Sequence, residues 1–184
     1  LEQVATVSPE VAKDIVSELA DQRSNLKMIA SENYCSLATQ LAMGNLLTDK
    51  YAEGIPDHRF YAGCDNVDAI ESRAAKLACD LFGADHAYVQ PHSGADANLI
   101  AFWAILSGRI QDPALEKKGK KSAFDLSGQE WADLRAQIGN QKLLGLDLSS
   151  GGHLTHGYRI NVSGRMFDSH AYTVSKKDGL LDYD

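Results

Sequence analysis

Ala84-Asp85-His86-Ala87-Tyr88-Val89-Gln90-Pro91-His92-Ser93-Gly94-Ala95-Asp96-Ala97-Asn98 runs directly into Leu99-Ile100-Ala101-Phe102-Trp103-Ala104-Ile105-Leu106. The pattern predicts a short strand, a tight Ser-Gly turn and a buried helix. Such a turn points several backbone N–H groups at one spot, with the helix dipole behind them, and that arrangement binds phosphate. Ser93 adds a hydroxyl donor, and Gly94 lets an anion come close to the backbone. A strand-to-helix turn that binds nothing carries the same signature, so the stretch speaks first for architecture and only second for a ligand.

Composition sets the outer bounds. The chain has 184 residues, 44% hydrophobic and 23% charged, which is ordinary for a globular protein. A net charge of −7 argues against a nucleic-acid partner. No apolar run approaches the length of a membrane span, and residues 1–30 lack the apolar core of a signal peptide. Cys35, Cys64 and Cys79 are odd in number and widely spaced, which argues against a disulfide framework and for a reducing cytosol. Leu1 in place of Met, and the ending Asp182-Tyr183-Asp184, are expected of a piece of something longer.

Upstream of the central stretch, Ser8-Pro9-Glu10 should start a helix, with a capping hydroxyl and proline at the first position. Val11, Ile15 and Leu19 then give it one apolar face to about Asp21, packed either on a partner subunit or within its own chain. Ser36 is expected to cap a short helix carrying Leu37, Leu41 and Leu46. Residues 51–63 form a loop by their Gly-Pro content, yet the loop is rich in aromatic rings, so it either folds back on a core or lines a site. Asn66 is expected to cap a further helix with Ile70, Ala74, Leu77, Ala78 and Leu81 on its buried side and Gly83 as its C-terminal cap.

Downstream, the apolar helix should end near Ser107. Residues 108–141 read as a surface insertion holding a basic run, Lys117 to Lys121, and one docked helix. That helix is opened by the capping box Ser127-Gly128-Gln129-Glu130, with Trp131, Leu134 and Ile138 on one face. Lys142–Leu148 is a short apolar strand ending in the polar loop Ser149-Ser150-Gly151-Gly152-His153-Leu154-Thr155-His156-Gly157, and 165–175 is a further strand. Strands separated by helices predict an α/β protein with a largely parallel sheet. Ligands of such sheets sit beyond the carboxyl ends of the strands, where both Ser93-Gly94 and Gly151-Gly152-His153 fall. His153 and His156 form an H-x-x-H pair, but with no carboxylate or thiolate at metal-site spacing and too much glycine for a helix, no metal site is expected. A flat imidazole opposite a phosphate cradle suits stacking on an aromatic cofactor ring better.

Six segments occur in order: Ser31-Glu32-Asn33-Tyr34, Lys50-Tyr51-Ala52-Glu53-Gly54, Arg59-Phe60-Tyr61-Ala62-Gly63-Cys64, Asn66-Val67-Asp68, Gln90-Pro91-His92-Ser93-Gly94 and Gly151 to Gly157. Together they resemble the N-terminal part of serine hydroxymethyltransferase (glycine hydroxymethyltransferase), from about residue 26 to the end apart from 108–141. The resemblance implies a fold type I pyridoxal-phosphate enzyme of the aspartate-aminotransferase-like fold. Residues 1–50 would be a helical N-terminal arm and 51–184 the first part of the cofactor-binding large domain. It implies a cytoplasmic homodimer or dimer of dimers that interconverts serine and glycine and passes the one-carbon unit to tetrahydrofolate, with no nucleic-acid or membrane partner.

The same resemblance implies roles. Ser93, Gly94 and Ala95 would hold the cofactor phosphate, and His153 would stack on the pyridine ring. Leu148, Gly152 and Leu154 would adjoin the folate, and Ser31 would help bind the amino-acid carboxylate. Tyr51, Glu53 and Tyr61 would reach into the neighbouring subunit's site as its catalytic and substrate-binding set. Glu53 would handle the proton of the serine hydroxymethyl group, desolvated between the tyrosines so that its pKa rises.

This chain departs from the family pattern in places. Ser93-Gly94-Ala95-Asp96 stands for the usual Ser-Gly-Ser-Gln, Gly54-Ile55-Pro56-Asp57 for Gly-Tyr-Pro-Gly, Tyr61-Ala62-Gly63 for Tyr-Gly-Gly, and Ser149-Ser150 for Ala-His. The family's Schiff-base lysine, its pyridine-pairing Asp and its carboxylate-clamping Arg lie further on. Lys50, Lys142 and Lys176 do not match that lysine. The chain is therefore expected to be an N-terminal portion, inactive alone. The competing expectation is a truncated, non-catalytic homologue serving as a dimerisation or phosphate-binding module.

Overall fold

A computed structural model describes residues 1–181 and Tyr183. The chain divides into two compact units, Leu1–Asp68 and Ala69–Asp184.

In the first unit, helices α1 (Glu2–Val7) and α2 (Pro9–Ser24) form a hairpin about Ser8. Proline takes the first turn of α2 as expected, but the Ser8 hydroxyl makes no cap hydrogen bond and only its extended backbone marks the boundary. Ala12 is the one buried residue of α2, while Val11, Ile15 and Leu19 are exposed. The periodicity announced an apolar stripe; no described element of this unit covers it. Helix α3 (Leu37–Met43) is capped as expected, with the Ser36 hydroxyl accepting the Thr39 N–H at 3.2 Å. Leu46 falls beyond α3, on a 3₁₀ turn over Leu46–Asp49.

Residues 51–63 are ordered around a small hairpin, strands β1 (Gly54–Ile55) and β2 (His58–Arg59). Pro56 and Asp57 form its turn, with Asp57 at φ 63. Proline followed by a residue of positive φ is the type II arrangement, normally completed by glycine or asparagine. Helix α4 (Asp65–Phe82) begins one residue before the expected Asn66 cap, because the Cys64 carbonyl already accepts the Asp68 N–H at 2.9 Å. Its end follows expectation: Gly83 takes φ 63, and the Ala84 N–H reaches back to the Cys79 carbonyl at 3.1 Å, a Schellman closure. The side expected to be buried is not: Ile70, Leu77 and Leu81 are more than half exposed and only Ala78 of the set is half-buried.

In the second unit, residues 86–91 carry no regular secondary structure, 92 is a bend, and none of them pairs with a described strand, so the expected opening strand is absent as a paired element. A strand exists only where a neighbour accepts its hydrogen bonds. Helix α5 (Gly94–Leu106) follows, but it does not stop at Ser107. A π-helical turn over Ser107–Gln111 carries it into α6 (Asp112–Lys117). Helix α7 (Gly128–Gly139) has both capping-box bonds, Ser127 hydroxyl to Glu130 N–H and Glu130 carboxylate to Ser127 N–H. Leu106, Leu115 and Leu134 are its unit's buried leucines, whereas Trp131 stays 42% exposed. Strand β3 (Lys142–Leu146) pairs in parallel with β4 (Asp168–Tyr172), Leu144 opposite His170, and helix α8 (Val162–Met166) lies in the crossover. The protein is thus α/β with helices and small sheets; among the described residues the parallel sheet has two strands. Among the described residues no helix is long and apolar enough to cross a membrane.

Candidate functional site

Ser93 caps α5, its hydroxyl oxygen accepting the Asp96 N–H at 3.1 Å. Its hydroxyl hydrogen and the N–H groups of Gly94 and Ala95 have no acceptor among the described residues. All three residues are exposed. A 13-residue helix therefore presents a free hydroxyl and two free amides at its positive end. That donor set suits a phosphate.

The loop after β3 is shaped by its own contacts. Asp147 caps a 3₁₀ turn by accepting the N–H of Ser149 at 2.9 Å and also its hydroxyl. These bonds, the hydroxyl first, hold the Asp147 carboxyl below the usual carboxylate range. Gly152 then passes so near β3 that any Cβ there would collide with the Leu146 carbonyl oxygen. The sharp return brings out Leu148, His153 and Leu154, all exposed.

His153 is held from behind. Its Nδ1 accepts the Thr155 N–H at 3.2 Å and lies 2.7 Å from the Thr155 hydroxyl. That oxygen accepts the Asn98 side-chain N–H at 2.7 Å, so its own hydrogen points to Nδ1. With Nδ1 used as an acceptor, the ring proton of the neutral imidazole is assigned to Nε2 by the hydrogen-bond network. Thr155 is buried, at 6% exposure, and Asn98 sits on α5 five residues after Ser93. The helix that carries the free donors and the loop that carries the imidazole are thereby joined.

Neither Asn98 nor Thr155 stood out in the sequence reading. One signal was available: Asn98 is the only polar residue between Ala97 and Leu106. His156 lies ring to ring with His153 at 5.6 Å. Among the described residues no group of three or more His, Cys, Asp or Glu side chains gathers as a metal site would require.

In the first unit, Tyr51, Glu53 and Tyr61 come together. The Tyr51 hydroxyl donates to Glu53 Oε2 at 3.1 Å, and the Tyr51 and Tyr61 rings meet at 5.4 Å and 56°. The hydrogen bond to Glu53, and then that carboxylate's charge, hold the Tyr51 pKa above its ordinary value, so Tyr51 stays a donor. The expected desolvated pocket is not formed by these residues: Glu53 is exposed, and Tyr51 and Tyr61 are 67% and 53% exposed. One hydroxyl reaches the carboxyl, and the second ring meets only the first; excluding water takes walls on all sides. Ser31 lies on an exposed turn of the same unit and has no hydrogen bond to this trio. Near it Lys27 pairs with Glu32 at 3.8 Å and sits over the Tyr34 ring at 4.7 Å.

The architecture and these loops define an α/β protein with donors for an anion at a helix start and an imidazole tied to the same helix. Over residues 4–119 and 134–184 the sequence matches the family model described as serine hydroxymethyltransferase. It is 66% identical to the serine hydroxymethyltransferase of Treponema pallidum (strain Nichols) over 183 residues, 100% of this chain and 32% of that protein. It is 56% identical to that of Salinispora tropica over 184 residues, covering 100% and 38%, and 56% identical to that of Chlamydia felis over 176 residues, covering 95% and 35%. This chain belongs to the serine hydroxymethyltransferase family. It spans about a third of the length of the relatives it matches.

Proposed function

We propose that the full-length protein containing this chain interconverts serine and glycine and passes the one-carbon unit to tetrahydrofolate, using pyridoxal 5′-phosphate. The chain would be an N-terminal portion of a cytoplasmic homodimer or dimer of dimers with the fold type I, aspartate-aminotransferase-like architecture. Residues 1–50 would form the arm, residues 51–184 the first part of the large domain, and about 108–141 a surface insertion within it. The observation that carries the reading is the Asn98–Thr155–His153 chain, which couples the Ser93 donor set to the imidazole loop in a member of this family.

The cofactor when bound supplies an electron sink for cleavage of a carbon–carbon bond. Ser93, Gly94 and Ala95 would hold its phosphate with one hydroxyl and two amides. His153, oriented through Nδ1 by Thr155, would stack on its ring. Leu148 and Leu154 offer exposed apolar surface to the folate ring, with Gly152 setting the path of the backbone between them. Ser31 binds the amino-acid carboxylate. Glu53 holds or moves the proton of the serine hydroxyl, and Tyr51 aims Glu53 by donating to Oε2. Tyr51, Glu53 and Tyr61 complete the site of the neighbouring subunit, whose surfaces supply the walls that exclude water from Glu53.

The test is a serine-cleavage assay on the full-length protein with pyridoxal phosphate and tetrahydrofolate. Glycine should form in step with loss of serine. A folded, cofactor-loaded protein that makes no glycine would overturn the reading in favour of a non-catalytic homologue.

A further inference from the structure

The hairpin that follows Glu53 holds a side chain that none of the roles above uses. Arg59 is nearly fully buried, its side chain 5% exposed. One of its nitrogens, Nη1, donates to the Ala52 carbonyl at 2.9 Å and to the Gly54 carbonyl at 2.7 Å. These carbonyls flank Glu53 on either side. The Glu53 carbonyl between them accepts the Phe60 N–H at 3.0 Å. All three consecutive carbonyls are therefore fixed by Arg59 and its neighbour Phe60.

The guanidinium is itself held by Asp68, which accepts from Nε at 2.8 Å through Oδ1. The second oxygen of Asp68 accepts the N–H of Asp57 at 3.1 Å, at the turn position of positive φ. One carboxylate on α4 thus anchors both the arginine and the turn. A fork with several fixed donors can bridge two carbonyls and a carboxylate at once; an ammonium is a point charge and cannot reproduce that geometry.

We propose that Arg59 is the positioning residue for Glu53: it grips the carbonyls of the residues before and after Glu53, and Asp68 holds it in place, so that the Glu53 carboxyl is presented at a fixed angle to Tyr51. Arg59 and Asp68 act through Glu53 and carry no proton in the reaction. The proposal rests on the proton-handling role given to Glu53 above.

The experiment uses the full-length protein, with Arg59→Lys, Asp68→Asn, Glu53→Gln and the Arg59→Lys/Glu53→Gln pair. In Arg59→Lys, kcat for serine cleavage should fall about ten- to a hundredfold, with KM for serine and the cofactor absorbance within about twofold of the parent. Adding Arg59→Lys to Glu53→Gln should cost less than about twofold more, because both act through one carboxyl. Amide exchange at Phe60 should speed up by about tenfold or more in Arg59→Lys, because the Ala52 and Gly54 carbonyls lose the fork that keeps the Glu53 carbonyl between them in place opposite the Phe60 N–H. Asp68→Asn, which leaves the guanidinium present, should show the same pattern more weakly and serves if Arg59→Lys does not fold. An unchanged kcat in a protein that Glu53→Gln cripples would overturn the proposal, as would fully multiplicative losses in the pair or unchanged exchange at Phe60. If Glu53→Gln itself leaves turnover intact, the assigned role of Glu53 fails, and with it the catalytic part of this proposal; Phe60 exchange still decides whether Arg59 holds this backbone.

Discussion

Asn98 donates a hydrogen bond of 2.7 Å to the hydroxyl of Thr155, across 57 residues of sequence. Thr155 in turn orients His153, so the helix whose start carries Ser93 sets the angle of the imidazole. Replacing Thr155 by Val removes the acceptor and leaves the Asn98 amide half-buried without its partner. In the full-length protein this should destabilise the fold by about 1–3 kcal/mol. It should also weaken pyridoxal-phosphate binding, though less than His153→Ala does. Thermal unfolding and an absorbance titration with the cofactor measure the two effects. Unaltered cofactor affinity in both variants would count against stacking by His153.

Glu53→Gln keeps the size and most hydrogen bonding of the side chain but cannot take up a proton. Serine cleavage in the full-length protein should drop by about 10²–10⁴-fold while the cofactor spectrum stays as in the parent. Tyr51→Phe, which removes the donor to Oε2, should give a smaller loss. Steady-state kinetics decide both, and full turnover in Glu53→Gln would sink its role.

Glu130 supplies the pH prediction. The Ser127 N–H, then the Lys118 ammonium at 3.1 Å and the Ser127 hydroxyl, lower its pKa from 4.5 to about 2. A carboxyl with a depressed folded pKa stabilises fully above its unfolded value and loses that contribution as pH falls through the folded one. The start of α7 should therefore loosen between pH 4.5 and about 2. Amide exchange in α7 across that range checks it. Glu130→Gln should flatten the dependence, and an equally steep profile in that variant would refute the assignment.

Asp57 stands at φ 63 in the hairpin turn, a conformation that glycine adopts without cost from a Cβ. Asp57→Gly leaves its N–H available to Asp68 and should stabilise the full-length protein by about 0.5–1 kcal/mol. A lowered unfolding midpoint would show that the aspartate side chain contributes more than its backbone strain costs.

Gly152→Ala is the opposite case. The added Cβ meets the Leu146 carbonyl oxygen, a backbone atom of a paired strand that cannot give way cheaply. The loop with Leu148, His153 and Leu154 must shift, so cofactor affinity should fall along with stability. Retained affinity would show that the loop adapts.

The amino-acid sequence by itself determined the local features. Ser36 and Ser127 cap their helices as expected, Glu130 completes its box and Gly83 ends α4, because each such bond joins residues a few positions apart; the caps expected at Ser8 and Asn66 did not form. The two parallel strands were also legible, expected over 142–148 and 165–175 and formed over the shorter Lys142–Leu146 and Asp168–Tyr172, with 165 and 166 ending α8 instead. The ordered motifs pointed to the family without help from coordinates. What only the tertiary structure decided depends on segments meeting: that 86–92 lacks a ladder partner, that the apolar stripes of α2 and α4 stay exposed in their units, and that α5 runs through a π-turn into α6. Periodicity shows that a helix has an apolar side but not what covers it. The site divides in the same way. Ser93, Glu53 and His153 are visible as residue types in suggestive loops, whereas Asn98, Thr155, Arg59 and Asp68 gain their meaning only from the atoms they reach. A hydrogen bond between distant residues has no local signature, because its energy depends on a distance that the whole fold sets.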